Sequence, residues 1–119
     1  MPIFPGRLPL FTSEGDFQAQ LLRSAKKLGW ARVYHTYNSR KSEEGFPDLV
    51  LVSRRQGRVI FAELKNDTEG ETAVQKLWMD DLGQCPGVEV YLWRFKDWDA
   101  VLKLLAGRPR RRRSGWDST

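Results

Sequence analysis

Between residues 45 and 65 the chain reads GFPDLVLVSRRQGRVIFAELK, and no other stretch limits its fold so tightly. Two apolar, β-branched runs, 46–52 and 59–64, flank a polar segment in which Gly57 suits a tight turn. That is the pattern of a β-hairpin. Yet the hairpin opens and closes on charge. Asp48 stands at the mouth of the first run, with Glu63 and Lys65 at the end of the second. Charges are costly to bury unless they pair or bind a metal. A two-residue loop at Gln56 and Gly57 would pair Arg55 with Arg58, setting Asp48 opposite Lys65 and Val50 opposite Glu63; a three-residue turn with a bulge is the alternative. In the first register all three charges share one face, with Cβ atoms about 5–8 Å apart. A slip of one residue would send Asp48 to the other face.

Two carboxylates and an ammonium gathered in this way suit metal-assisted phosphodiester hydrolysis. Mg²⁺ binds through a few oxygen ligands and keeps several waters. Asp48, Glu63 and the backbone carbonyl of Leu64 would supply those oxygens. The metal would polarise a phosphoryl group and lower the pKa of an attacking water. Lys65 would orient that water, help deprotonate it, or offset charge in the transition state. Taken singly, each residue reads as readily as structural: Asp48 as a turn cap after Pro47, Lys65 as half of an ordinary ion pair.

The remaining elements follow from local pattern. Residues 1–11 form a proline-punctuated, extended lead-in. Thr12 and Ser13 can cap a helix whose first turn holds Glu14 and Asp16, and Phe17, Leu21, Leu22, Ala25 and Leu28 recur at helical spacing before Gly29 stops it. A strand is expected over 30–37, then a charged loop over 38–44, the hairpin strands, and an acidic loop over 66–71. A second helix, about 72–82, would turn Leu77, Trp78 and Leu82 inward. A fourth strand over 88–93 and a short helix capped by Asp97, carrying Trp98, Val101, Leu102 and Leu105, complete an α-β-β-β-α-β-α order.

Bulk properties narrow the class. At 119 residues, with 40% apolar and 29% charged residues, the chain is one soluble domain. No apolar run is long enough to span a membrane, and the start MPIFPGRLPLF, with three prolines and no continuous apolar stretch, is not expected to be a secretory signal. Single residues of cysteine (Cys85) and histidine (His35) argue against a disulfide framework and against zinc of the His/Cys type, and fit a reducing compartment. The formal charge is +5, but residues 108–119 hold five arginines against one aspartate, so the domain itself is nearly neutral. That basic run reads as a disordered arm that attracts phosphate backbones through Arg110, Arg111, Arg112 and Arg113, or as a solubilising tail. Arg23, Lys26, Lys27, Arg32, Arg40 and Lys41 precede the Pro-Asp pair as a candidate DNA-facing edge, or as a solvated helix face.

Pro47-Asp48 followed by Glu63-Leu64-Lys65 resembles the PD-(D/E)xK nuclease signature. More narrowly, the chain is similar to the VRR-NUC (virus-type replication-repair nuclease) type, stand-alone and of phage or bacterial kind. Gln18, Tyr34-His35, Ser39, Gly45, Gln75 and the closing VEVYLWRFKDWD agree with it over roughly residues 12–105. The resemblance implies an α/β, restriction-endonuclease-like core: a mixed four-stranded sheet flanked by helices, filling residues 12–107 as one nuclease domain. It implies Mg²⁺- or Mn²⁺-dependent DNA cleavage, with Asp48, Glu63 and Lys65 on the catalytic positions and Gln75 close by. A further first-helix carboxylate would be Glu14, with Asp16 as its rival; both are equally suited to complement the helix dipole. Such proteins resemble small junction-resolving nucleases acting as homodimers on branched DNA. Trp78, Trp93, Trp98 and Trp116 are candidate interface aromatics, though most tryptophans in a small domain are core. The expected setting is cytoplasmic, in a bacterial cell or a phage-infected host.

Two other classes fit less of the sequence. A DNA-binding module without turnover would have no use for an acidic cluster facing phosphates. An RNA-directed nuclease of the same fold would use the same acids, and no base-reading element separates it from the DNA reading.

Overall fold

A computed structural model describes residues 11–36 and 43–107. In order, the elements are α1 (Glu14–Lys27), β1 (Arg32–His35), β2 (Leu49–Ser53), β3 (Arg58–Lys65), α2 (Ala73–Gly83), β4 (Glu89–Arg94) and α3 (Trp98–Ala106), with a 3-10 turn at Phe95–Asp97. The strands form one sheet in the order β1-β2-β3-β4. Its first two pairings are antiparallel and β3 runs parallel to β4, so α2 is the crossover that a parallel pair requires. This is the mixed sheet with flanking helices expected of a restriction-endonuclease-like core.

One sheet face is closed by α1 and α3. Strand alternation sends Leu49, Leu51, Ile60, Ala62 and Leu64 to that face, where they meet Phe17, Leu21, Ala25, Trp30, Val101 and Leu105, all essentially buried. Phe11 adds ring contacts with Phe17, Phe95 and Trp98 at 4.9–5.4 Å. The opposite face, carrying Val50, Val52, Val59 and Phe61, is only half-buried. Among the described residues no helix is long and apolar enough to cross a membrane.

Four details depart from the sequence reading. First, the hairpin turn has four residues, with Ser53 paired to Arg58, Val50 to Phe61 and Leu49 to Ala62. The whole register is therefore shifted by two residues from the Arg55–Arg58 pairing. Ser53 Oγ accepts the Gln56 N–H at 3.1 Å and the Gly57 N–H donates to the Arg54 carbonyl at 3.2 Å, with Gly57 at φ 68°. A side chain and a left-handed glycine stabilise the longer turn together. Second, Leu77 points out, 63% exposed. The inner stripe of α2 runs Gln75, Trp78, Met79 and Leu82, and only Met79 is fully buried; Leu77 lies well off that stripe, toward the opposite side of the helix.

Third, Asp97 accepts the Arg94 N–H at 2.8 Å and makes no side-chain cap on α3. Its carboxylate closes the 3-10 turn instead. Fourth, β1 and β2 are shorter than expected. Trp30 is drawn into the core, where its Nε1–H donates to the Leu105 carbonyl at 2.8 Å, and Pro47 has no N–H to give a ladder. The readings placed on residues 1–10 and 108–119, on Ser39, Arg40 and Lys41, and on Trp116 lie outside the described residues. Trp93 and Trp98 are core residues, at 5% and 8% exposure.

Candidate active site

The two-residue shift of register is even, so it leaves side-chain faces unchanged. Asp48 precedes β2 and projects its carboxylate back across β3, where Oδ2 accepts the Leu64 N–H at 2.8 Å. The turn that holds it is pinned to β1: Thr36 donates its N–H to the Asp48 carbonyl at 2.9 Å and its hydroxyl to the Pro47 carbonyl at 2.8 Å. Pro47 itself is buried. Gly45, just before it, has φ 83°, and a Cβ there would lie 2.3 Å from Val74 Cγ1. A glycine is needed there on both counts.

Glu63 shares its face of β3 with Phe61 and Lys65 and is 1% exposed. Its Oε2 accepts a hydrogen bond from Gln75 Nε2 at 2.5 Å. Gln75 is fixed in turn by a capping box, since its Oε1 accepts the Thr72 N–H while Thr72 Oγ1 accepts the Gln75 N–H. The other carboxyl oxygen of Glu63, Oε1, is buried without a hydrogen-bond partner. Burial raises the Glu63 carboxyl to about 8, helped by the negative charge of Asp48. Asp48 is also raised, first by burial, against the opposing pull of the Leu64 N–H and Lys65. The two carboxyls lie close enough to act on each other electrostatically. Two acids at this range do not both ionise cheaply; a proton or a cation between them relieves the repulsion.

Glu14, at the first turn of α1, faces the same end of the sheet. A cleft of about 300 Å³ there is lined by Glu14, Gly15, Gln18, His35, Thr36 and Asp48. Burial raises the Glu14 carboxyl, while the positive charge of Lys65 draws it down. Asp16 is turned to other work: its carboxylate accepts the Thr12 N–H at 3.1 Å and the Gln20 amide at 3.2 Å. The structure therefore brings Asp48, Glu63, Lys65, Gln75 and Glu14 to one end of the sheet and leaves Asp16 out.

The other candidates are more scattered. Arg23, Lys26 and Lys27 are exposed on α1, but they lie toward its far end, about 13–20 Å along the axis from Glu14. Arg32 pairs with Val52 and so projects on the sheet face opposite α1. Sequence reasoning missed Thr36 as the clamp on the Pro-Asp turn, because nothing local marks a threonine as the partner of residues eleven positions later. It also missed Arg94, which holds the loop after β3 through the Asn66 and Glu69 carbonyls.

The donor set can be tested against a divalent cation. Among the described residues no group of three or more His, Cys, Asp or Glu side chains is arranged to hold a metal ion. Two carboxylates with a backbone carbonyl nonetheless fit Mg²⁺ or Mn²⁺, which complete their shells with water and substrate oxygens. The partnerless Oε1 of Glu63 beside a second acid is the mark of a site with unmet demand for positive charge. The model of the VRR-NUC domain matches residues 7–97 of the chain. No curated protein and no solved structure shows significant similarity to it. The chain belongs to the VRR-NUC family and carries a nuclease-type domain.

Proposed function

We propose that this VRR-NUC domain protein is a Mg²⁺- or Mn²⁺-dependent endonuclease that hydrolyses phosphodiester bonds in DNA, selecting branched or otherwise structured substrates. The observation that carries the reading is the acid pair of half-buried Asp48 and buried Glu63, with an unpaired carboxyl oxygen on Glu63 and Lys65 alongside. Asp48, Glu63 and the Leu64 carbonyl would hold the metal. Bound there, it would polarise the scissile phosphate and lower the pKa of a water.

The chain's own groups do the rest. The Leu64 N–H and the Thr36 clamp fix the Asp48 carboxylate in place. Gln75 fixes Glu63 by donating to Oε2, which leaves Oε1 for the cation. Lys65 shares the face of Glu63 and supplies positive charge for the attacking water and for the negative charge that builds on the phosphoryl oxygens. Glu14, on the cleft wall, adds a third carboxylate toward the substrate side. Arg23, Lys26 and Lys27, with the arginines of residues 108–119, would hold flanking phosphates. Cutting both strands of a junction calls for two such sites, which supports a homodimer.

The test is cleavage of labelled four-way junction, flap, nicked and linear duplex DNA with Mg²⁺, Mn²⁺ or EDTA. Wild type should cut only with metal, and a branched substrate fastest. Asp48→Ala and Lys65→Ala should each lose about 10²–10³-fold or more in rate. Tight DNA binding by folded protein with no cutting of any substrate would favour the non-catalytic binding module. Preferential cutting of matched RNA substrates would favour the RNA-directed reading.

A further inference from the structure

One flank of α2, at the edge of its inner stripe, carries an apolar groove of about 330 Å³. Val74, Leu77, Trp78 and Leu82 line it, and Leu77 is the most exposed large apolar side chain among the described residues. Phe46 supports its floor through an edge-on contact with Trp78 at 5.0 Å. Its rim is acidic: Glu43, Glu44 and Asp81. Among the described residues none of these three acids is in an ion pair, and the one lysine of α2, Lys76, is paired with Asp80 at 3.6 Å. An apolar trough edged by unpaired carboxylates fits a basic peptide with an apolar anchor, and repels a phosphate backbone.

The chain carries such a peptide. Residues 108–119, RPRRRRSGWDST, combine five arginines with Trp116. They follow Gly107, which lies against the Gln56 side chain in the β2–β3 turn. That is also the end of the molecule where α2 finishes, because β4, which follows it, starts opposite Ile60 near the same turn. Twelve residues reach about 40 Å when extended, against principal extents of 43 × 38 × 20 Å for the protein. Twelve residues are therefore long enough to reach the α2 groove from its C-terminal end.

We infer that the arginine tail docks in the α2 groove of its own chain and that nucleic acid and groove compete for it. The docked tail is held from phosphate, and release of the tail by a polyanion adds its arginines to the binding surface. The docking itself does not rest on the nuclease reading, because none of Asp48, Glu63 and Gln75 lines the groove.

A nitroxide on a tail cysteine tests it in the full chain, with Cys85→Ser removing the native thiol and Ser118→Cys supplying the new one. Amide signals of ¹⁵N-labelled protein are read by NMR. The expected result is broadening over residues 74–85, relieved by about 0.5 M salt, by Glu43→Gln/Glu44→Gln/Asp81→Asn, and by excess duplex DNA. Uniform signals along α2 at low salt would overturn the proposal, as would broadening that appears only when spin label and ¹⁵N are on separate chains, which is docking between copies. A second readout uses affinity for a short random-sequence duplex in EDTA. Neutralising the three rim acids should tighten binding about threefold or more by freeing the tail, and that gain should vanish when residues 108–119 are deleted. The same gain in the deleted chain would mean that the acids merely repel DNA, and would overturn the competition.

Discussion

Strand β3 carries charge at both ends, and the two ends are held in opposite electrostatic conditions. At its start Arg58 projects to the α1/α3 face and forms a two-pronged pair with Glu89, at 2.6 and 2.7 Å. Tyr91 and Gln56 add hydrogen bonds to the same cluster, the Leu104 carbonyl accepts from Arg58, and the guanidinium lies 5.2 Å from the centre of the Trp30 ring. Every polar group has a partner, and Arg58 holds the Glu89 carboxyl below its ordinary range. At the other end, on the opposite face, two acids are pressed together. Glu63 is raised to about 8 and keeps a buried oxygen with no partner. The first end spends its charges on holding β3, β4 and α3 together. The second keeps charges in a state that costs stability, which is what a site for a cation and a phosphate requires.

Glu63→Gln should break this contrast most visibly. Metal-dependent cleavage should fall by about 10³-fold, yet the fold should gain stability at neutral pH. The sign follows from the raised carboxyl. Between pH 4.5, the unfolded value, and about 8, the folded protein keeps a proton that the unfolded chain has lost. Wild-type stability therefore falls as pH rises through that window. Denaturant midpoints without added metal should decline steadily across it in wild type and stay nearly flat in the variant. A variant that is both inactive and less stable would assign Glu63 to the structural end of the comparison.

Arg58→Ala tests the other end. It strands the Glu89 carboxylate in a half-buried place and should cost about 3 kcal/mol, read as a lowered unfolding midpoint. Cleavage per folded molecule should remain near wild type well below that midpoint. The pH dependence here has the opposite sign. Glu89 is lowered in the folded state, so its contribution is present above about pH 4.5 and is lost as pH falls. That acid-side loss should disappear in the variant.

Thr36→Val sharpens the boundary between the two regimes, since Thr36 touches no charge directly. Loss of its hydroxyl bond to the Pro47 carbonyl should cost about 1 kcal/mol. The more telling outcome is a cleavage rate several-fold down with unchanged DNA affinity, the mark of a displaced Asp48. A variant with wild-type turnover would show that the Leu64 N–H alone is enough to position that carboxylate.

Much of this was legible from residues 45–65. Alternation along 49–53 and 58–65 fixed which side chains face the core, and a period of two survives any even error of register. That is why the predicted Asp48–Lys65 pairing was displaced while Asp48, Glu63 and Lys65 still met. The capping residue was readable for α1, where Ser13 bonds within three residues of itself. Leu77 was misread because helical periodicity defines a stripe but not which of its flanks the sheet will cover.

By itself, then, the chain determined its element order, the facing of each strand and the acids that belong together, since all of these depend on residues close in sequence or on a repeat that every neighbour reinforces. Only the tertiary structure decided the length of the hairpin turn, the choice of Glu14 over Asp16 at the cleft, the Thr36 clamp and the pairing of Arg58 with Glu89. Each of those is a contest between partners of similar local chemistry, settled by which group another element brings within hydrogen-bond reach. Glu14 and Asp16 stand two residues apart on one helix turn. The packing of α1 against the sheet gave one the cleft and left the other to Thr12 and Gln20.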